Sequence, residues 1–304
     1  MTHGIAEANG IKIWYDRIGD EQAPCILLIT GAVGQAVAWN VCFCEMLAER
    51  GYQVIRFDQR DSGLSQKFPE LTYSADDVAD DAVGLLDALG IPHAHIFGVS
   101  AGGAFAQIIA MRHPHRCLSL TSFMSTSVNP MTDPGIIPTA ERIVKFRSGP
   151  IPEDPAARIE RIVETFREYL SGPRFPVNDE FVRDYARQMM EREGRVGDSP
   201  RLAAVLRAAW PFDKARLAKI RCPTLVIHGT ADPLCNYTAG LTTVRAIPGA
   251  RLLPIEGMGH DLTSPRAFPL LIDAVDEHAR TAPPAWVRAG LNAPSATARI
   301  PAGG

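Results

Sequence analysis

A serine stands between two glycines at Gly98-Val99-Ser100-Ala101-Gly102, after a short apolar run and before an apolar stretch of helical period. No other feature constrains the fold as much. A Gly-x-Ser-x-Gly segment in that context is a strand-to-helix turn so sharp that side chains two residues either side of the serine would collide, and glycine relieves the crowding around a strained central residue. The flanks fit. His95-Ile96-Phe97 reads as a buried strand, and residues 102–113 carry Phe105, Ile108, Ile109 and Ala110 at helical spacing before stopping at Pro114. The same five residues also suit an ordinary glycine-containing βα turn, so the case for chemistry depends on what the rest of the chain supplies.

A serine hydroxyl attacks only if a base takes its proton and a carboxylate orients that base. Leu225-Val226-Ile227-His228 reads as a strand, and Gly229-Thr230-Ala231-Asp232-Pro233 puts a carboxylate on the loop beyond it. Asp232 is the candidate acid, although Asp-Pro is also a turn former. A second strand at 251–255 runs into Glu256-Gly257-Met258-Gly259-His260-Asp261, where glycines deliver His260 to the same edge as the candidate base. The chain order Ser, Asp, His differs from both common serine protease orders. Competitors rank lower: His228 reads as a core residue ending its strand, and Asp261 adjoins His260 too closely to reach the ring nitrogen that faces away from Ser100. Asp133, after the strand at 118–122, is the reserve acid.

Acyl transfer also needs donors for an oxyanion, one from the amide after the nucleophile and one from the loop after an early strand. Ala101 supplies the first. Cys25-Ile26-Leu27-Leu28-Ile29 reads as a buried strand, and the small-residue loop Thr30-Gly31-Ala32-Val33-Gly34 follows it. Ala32 is the candidate second donor, with Val33 as the alternative. A serine rather than an aspartate at the elbow speaks against epoxide hydrolase or dehalogenase chemistry.

Over about residues 5–280 the chain resembles the α/β-hydrolase superfamily, and within it the aclacinomycin methylesterase-like hydrolases. The residues carrying the likeness are Ile29-Thr30-Gly31 leading to Trp39, the run from Val54 through Asp58-Gln59-Arg60-Asp61-Ser62 to Gly63, the elbow at Ser100, Pro223 to Ile227 with Asp232, and Glu256 to His260. The resemblance implies an α/β fold with a mostly parallel central sheet flanked by helices and a helical lid inserted after the sixth strand. It implies a carboxylic ester hydrolase with Ser100, Asp232 and His260 as triad, acting on the methyl ester of a bulky, polyketide-like acid. Thr30 stands where many relatives carry His and Ala101 where they often carry Met. Both changes spare backbone donation and alter pocket volume and polarity. Lactone or carbon–carbon cleavage by the same triad, and a non-catalytic ligand-binding protein on this fold, are the competing readings.

The organisation agrees. With 304 residues, 46% of them hydrophobic, the chain can bury one sizeable core and carry a lid. Strands at 11–15, 25–29, 53–58, 95–97, 118–122, 224–228 and 251–255 alternate with helical patterns after the first two, as a sheet covered on both faces requires. The clearest helix spans 74–89, with Ser74 as cap and Asp77 at the third position. Residues 1–128 and 216–280 form the core and 129–215 the lid, with helices at 156–170, 179–193 and 201–210. Phe146, Trp210 and Phe212 are candidate pocket-lining residues. Residues 281–304, rich in Ala, Pro and Gly, form a tail that Trp286 could anchor. The polar group Arg56, Asp58, Arg60, Asp61 and Ser62 reads as a structural turn with ion pairs.

Six cysteines without paired spacing indicate neither a zinc site nor a disulfide framework, which fits a reducing, cytoplasmic setting. No apolar run spans a membrane and no secretory leader is visible. Thirty-one basic against thirty-four acidic residues, without a basic cluster, exclude a nucleic-acid partner, and no phosphate-binding glycine loop implies a nucleotide cofactor. The reading is a cofactor-independent, metal-free serine hydrolase of a small-molecule substrate, with oligomeric state left open.

Overall fold

The structure, a computed structural model, describes residues 1–127, 149–193, 201–202, 204–205 and 214–281. Among the described residues eight strands form one sheet in the order β1-β2-β4-β3-β5-β6-β7-β8. They are β1 (Thr2–Ala8), β2 (Ile11–Ile18), β3 (Cys25–Ile29), β4 (Gln53–Phe57), β5 (Ala94–Val99), β6 (Cys117–Phe123), β7 (Thr224–Gly229) and β8 (Arg251–Ile255). β2 pairs antiparallel with both β1 and β4, and every other pairing is parallel. Strand β1 is absent from the sequence reading. Its exposed residues are Thr2, His3, Ile5 and Glu7, with Ile5 the single large apolar side chain of the strand, so no apolar run marks it.

The side-chain period of two sorts the central strands onto two cores. In β3, Cys25, Leu27 and Ile29 face one side, while Ile26 and Leu28 face the other. All five are at most 3% exposed, which is why the strand reads as a continuous apolar run rather than an alternation. The first face packs on α2 (Ala75–Ala88) and α3 (Ala101–Arg112), the second on α1 (Val41–Glu49) and α7 (Phe268–Arg280). Helix α2 starts as its sequence dictates: Asp77 N–H donates to Ser74 Oγ, and Ser74 N–H donates to Asp77 Oδ2. Such caps contribute about 1 kcal/mol.

Between β6 and β7 the described residues include α4 (Pro155–Thr165), a π-helical turn (Phe166–Leu170) and α5 (Asp179–Glu193). The turn continues α4 with wider spacing, which the reading of one helix over 156–170 did not distinguish. Val182, Tyr185, Ala186 and Met189 form the buried stripe of α5, and Tyr185 and Met189 pack on Val37 beyond β3. The far end of α5 is pinned to the core. Arg192 pairs with the fully buried Asp58 and stacks 3.9 Å over the Trp14 ring, and Glu193 accepts from Gln35 Nε2 and Gly63 N–H, each at 2.8 Å. After β7 comes α6 (Tyr237–Ala246), which leads back to β8. Among the described residues no helix is long and apolar enough to cross a membrane.

The polar group after β4 has the structural role expected of it, with partners from other elements. Arg56 pairs with Asp16, Arg60 grips Asp81 through two bonds of 2.6 and 2.7 Å, and Arg201 reaches Asp61. Asp133, Phe146, Trp210, Phe212, Trp286 and the tail beyond 281 lie outside the described residues, as does most of the segment 201–210.

Candidate active site

Strand β5 ends at Val99, and Ser100 turns the chain into α3 with φ 54° and ψ −123°, a backbone conformation that costs a non-glycine residue about 1–3 kcal/mol. The flanking glycines make the turn possible. A Cβ at Gly98 would lie 2.1 Å from Gly102 O, and one at Gly102 would lie 2.3 Å from Ile29 O and 2.4 Å from Thr30 O. The glycines of the motif are thus required by the approach of α3 to β5 and to the end of β3.

His260 comes from the loop after β8. Its Nε2 lies 3.0 Å from Ser100 Oγ and its Nδ1 lies 2.8 Å from Asp232 Oδ2. A carboxylate only accepts, so Nδ1 carries the proton and Nε2 is left with a lone pair aimed at the serine hydroxyl. Asp232, on the loop after β7, is fixed in turn: its Oδ1 accepts from Leu234 N–H at 2.9 Å and Cys235 N–H at 2.7 Å. Both the histidine and the aspartate are buried, which shields their contact from water. The three candidates, on three loops at one edge of the sheet, are thereby brought into one hydrogen-bonded line.

The competitors fall elsewhere. His228 is fully buried, with Nε2 donating to Cys235 O at 2.6 Å. Burial pulls its pKa down, against the nearby Asp232, so the neutral ring ties down the loop that carries Asp232. Asp261 turns away from the His260 ring and accepts from Ser171 Oγ and Thr263 N–H.

The loop after β3 passes directly over the serine. A Cβ at Gly31 would lie 3.3 Å from Ser100 Cβ, a contact tight enough that the serine would have to give by a few tenths of an ångström. Gly34 N–H bonds to Gly31 O, closing a turn with Ala32 and Val33 at its two central positions. Opposite, Ala101 is the first residue of α3, where the amide has no intrahelical acceptor. The turn of this loop and the first amide of α3 both lie beside Ser100. Val33 turns its side chain toward the cluster of Val37, Tyr185 and Met189, whereas Ala32 packs against the core on the α3 side.

Two supports of this site have no counterpart in the sequence reading. Gln59, 1% exposed, donates through Nε2 to Thr30 O at 2.8 Å and to Thr30 Oγ1 at 2.9 Å, and its backbone N–H donates to Gly34 O at 2.7 Å. It clasps both ends of the loop that crosses Ser100. The Asp-Gln-Arg-Asp run was visible, but nothing in it indicated the distant partner. The second support comes from the insertion. His260 N–H donates to Leu170 O at 2.8 Å, and Gly172 and Gly259 pack so closely that a Cβ at Gly259 would lie 2.1 Å from Leu170 O. Backbone contacts of this kind leave no side-chain signal.

Among the described residues no three His, Cys, Asp or Glu side chains converge as a metal-binding group. The α/β hydrolase fold family matches residues 24–263. A rhodomycin D methylesterase of Streptomyces sp. (strain C5) is 30% identical over 301 residues, 93% of this chain and 99% of that protein. A second rhodomycin D methylesterase, from Streptomyces peucetius, is 28% identical across 90% of this chain and 96% of its own. Among solved structures, an esterase from Rhodococcus sp. ECU1013 superposes with a TM-score of 0.73 at 21% identity, covering 91% of this chain and all of that one.

Proposed function

The chain belongs to the α/β hydrolase family, and we propose that it hydrolyses a carboxylic ester through an acyl-enzyme on Ser100, with His260 as base, Asp232 as orienting acid and the amides of Ala101 and Ala32 as the oxyanion site. The observation that carries this reading is the line Ser100 Oγ, His260, Asp232 with contacts of 3.0 and 2.8 Å.

In that reaction His260 Nε2 takes the Ser100 proton as Oγ attacks the ester carbonyl. The tetrahedral oxyanion receives the two backbone amides, each contributing roughly 3 to 4 kcal/mol in the transition state. His260 then returns the proton to the departing alcohol. Water enters, loses a proton to His260 and attacks the acyl-enzyme, and Ser100 leaves with the proton back on its oxygen. Asp232 holds the imidazole tautomer and stabilises the imidazolium formed twice per cycle.

End-to-end similarity to two rhodomycin D methylesterases favours a methyl ester of a bulky acid, so that methanol is the leaving group. The insertion, residues 129–215, serves as a lid over the core formed by 1–128 and 216–280. Its support is the contact of Leu170 with His260 and the packing of α5 on Val37 near the oxyanion loop. The six cysteines, all thiols, favour a reducing cytoplasmic setting.

A panel of methyl esters of bulky polycyclic acids, short-acyl p-nitrophenyl esters and lactones, given to wild type and Ser100→Ala, tests the proposal. Ser100-dependent release of methanol with the free acid as product supports it. Turnover confined to lactones, turnover that survives Ser100→Ala, or saturable binding without turnover on every member each overturns it.

A further inference from the structure

Strand β6 opens with an irregularity. Ala94 pairs with Cys117 and the next residue, His95, with Ser119, so Leu118 is an extra residue bulged out of the ladder. On its other edge β6 meets β7 from Leu120 and Thr224 onward, with Leu120 N–H bonded to Pro223 O at 2.9 Å. The bulge and this register bring Cys117, at the head of β6, against Cys222, two residues ahead of β7. Their sulfurs are 3.5 Å apart, both within the core on the α3 side. In sequence they are 105 residues apart, with the whole insertion between them. We propose that Cys117 and Cys222 form an oxidisable dithiol that closes to a disulfide on reaction with a hydroperoxide, enclosing residues 118–221 in one covalent loop.

The geometry suits this chemistry. Two sulfurs in van der Waals contact need to approach only to the ~2.05 Å of a bond, a shift of about 1.5 Å shared between two side chains on a bulged strand and a loop. Access is unequal. Cys117 is fully buried, whereas Cys222 is 7% exposed and lies between the exposed Arg221 and the half-buried Pro223, so Cys222 is the nearer of the two to the surface. The contact with Cys222 and burial push the Cys117 thiol up. Cys222, the less enclosed of the two, is the attacking sulfur.

In the first step the Cys222 thiolate attacks the peroxide oxygen. The O–O bond breaks, Cys222 becomes a sulfenic acid, and the other oxygen leaves as an alcohol, or as water when the oxidant is hydrogen peroxide, after taking a proton. In the second step the Cys117 sulfur attacks the Cys222 sulfur, the S–S bond forms and the S–O bond breaks. The hydroxyl leaves as water with the Cys117 proton. Two thiols give up two electrons, and these reduce the O–O bond. Cys117 opens β6, whose far end at Phe123 lies beside Ser100 through the Ser100 N–H bond to Phe123 O, and Cys222 precedes β7, whose far end leads to Asp232. The cross-link thus forms at the opposite edge of the sheet from the active site, and the inference does not depend on the proposed reaction.

The test uses the full chain, reduced and desalted, then treated with hydrogen peroxide, alkylated and mapped by mass spectrometry without reduction. The expected result is a loss of two hydrogens per chain, a Cys117–Cys222 linked peptide, and reversal by dithiothreitol. The melting temperature should rise by about 5 °C or more, because the unfolded chain is then constrained by a long loop. In Cys117→Ser the reaction should stall at a sulfenic acid on Cys222 that dimedone traps. Six alkylatable thiols after peroxide, a link between other cysteines, or oxidation of Cys222 to a sulfinic acid with no link would overturn the proposal. The wild-type mapping decides the matter even where a variant folds poorly.

Discussion

Replacing Gln59 by Leu removes the side-chain clasp on the loop above Ser100 while keeping volume. In the native chain Gln59 Nε2 serves Thr30 O and Thr30 Oγ1, at 2.8 and 2.9 Å, inside a region that water does not reach. Leucine leaves both acceptors without that donor, and a buried acceptor stranded in this way costs about 1–3 kcal/mol. The backbone bond from residue 59 to Gly34 O persists, so the loop is loosened rather than released. If about 1 to 2 kcal/mol of that cost falls on the position of the Ala32 amide relative to the oxyanion, kcat drops roughly 5- to 30-fold. The ground-state ester makes little use of that amide, so KM should stay within about twofold. The assay is steady-state hydrolysis of the best ester in the panel, with the melting temperature followed in parallel. A wild-type kcat in a variant of unchanged stability, or a loss carried wholly by KM, would refute the assignment of Gln59 as a positioning residue.

Other perturbations address the triad and the core. Asp232→Asn should keep the fold but present His260 with an amide in place of a pure acceptor, lowering kcat by about 10⁴ with little change in KM, as read by stopped assays at high enzyme concentration. Arg60→Met leaves the buried Asp81 carboxylate without its two-point partner and with only Asn9 Nδ2 at 2.9 Å. The expected loss is about 3–5 kcal/mol in urea unfolding. His278, buried with Nε2 donating to Leu120 O, has its pKa pulled down by burial to about 4 from 6.5. The unfolded chain therefore takes up a proton that the folded chain refuses between those values. Stability at this site is full above about pH 6.5 and falls by about 3 kcal/mol as pH drops to about 4. His278→Gln should flatten that part of the pH–stability curve, and an unchanged slope would contradict the cause given.

The parts legible in the sequence were those with local signals. Buried strands such as Cys25–Ile29 and Gln53–Phe57 announce themselves by composition and flanking turns, the Ser74 cap by its spacing to Asp77, and the elbow by glycines whose Cβ space is occupied. The hydrogen-bonded line of Ser100, His260 and Asp232 is legible from chain order, because each residue lies beyond the C-terminal end of one of the parallel strands β5, β7 and β8 and so arrives at the same edge. What escaped was non-local or carried by backbone. Strand β1 carries a single large apolar residue, the exposed Ile5, yet the Asn9-Gly10 pair, with φ 50° and 76°, is a hairpin turn that could have revealed it. Gln59 reaching Thr30, Arg192 reaching Asp58 and Leu170 O holding His260 all depend on register or on the path of the insertion, which no spacing encodes. The Cys117 and Cys222 contact was hidden for the same reason: the bulge that aligns them has no sequence mark.

The most direct test of the account is covalent capture of the nucleophile. Wild-type protein treated with an alkyl fluorophosphonate should acquire one phosphonyl group per chain, on Ser100, with ester hydrolysis lost in proportion to labelling. His260→Ala should label far more slowly and Ser100→Ala not at all. A phosphonyl group on any other residue, or undiminished hydrolysis by a chain fully labelled at Ser100, would contradict the assignment of Ser100 as the attacking group.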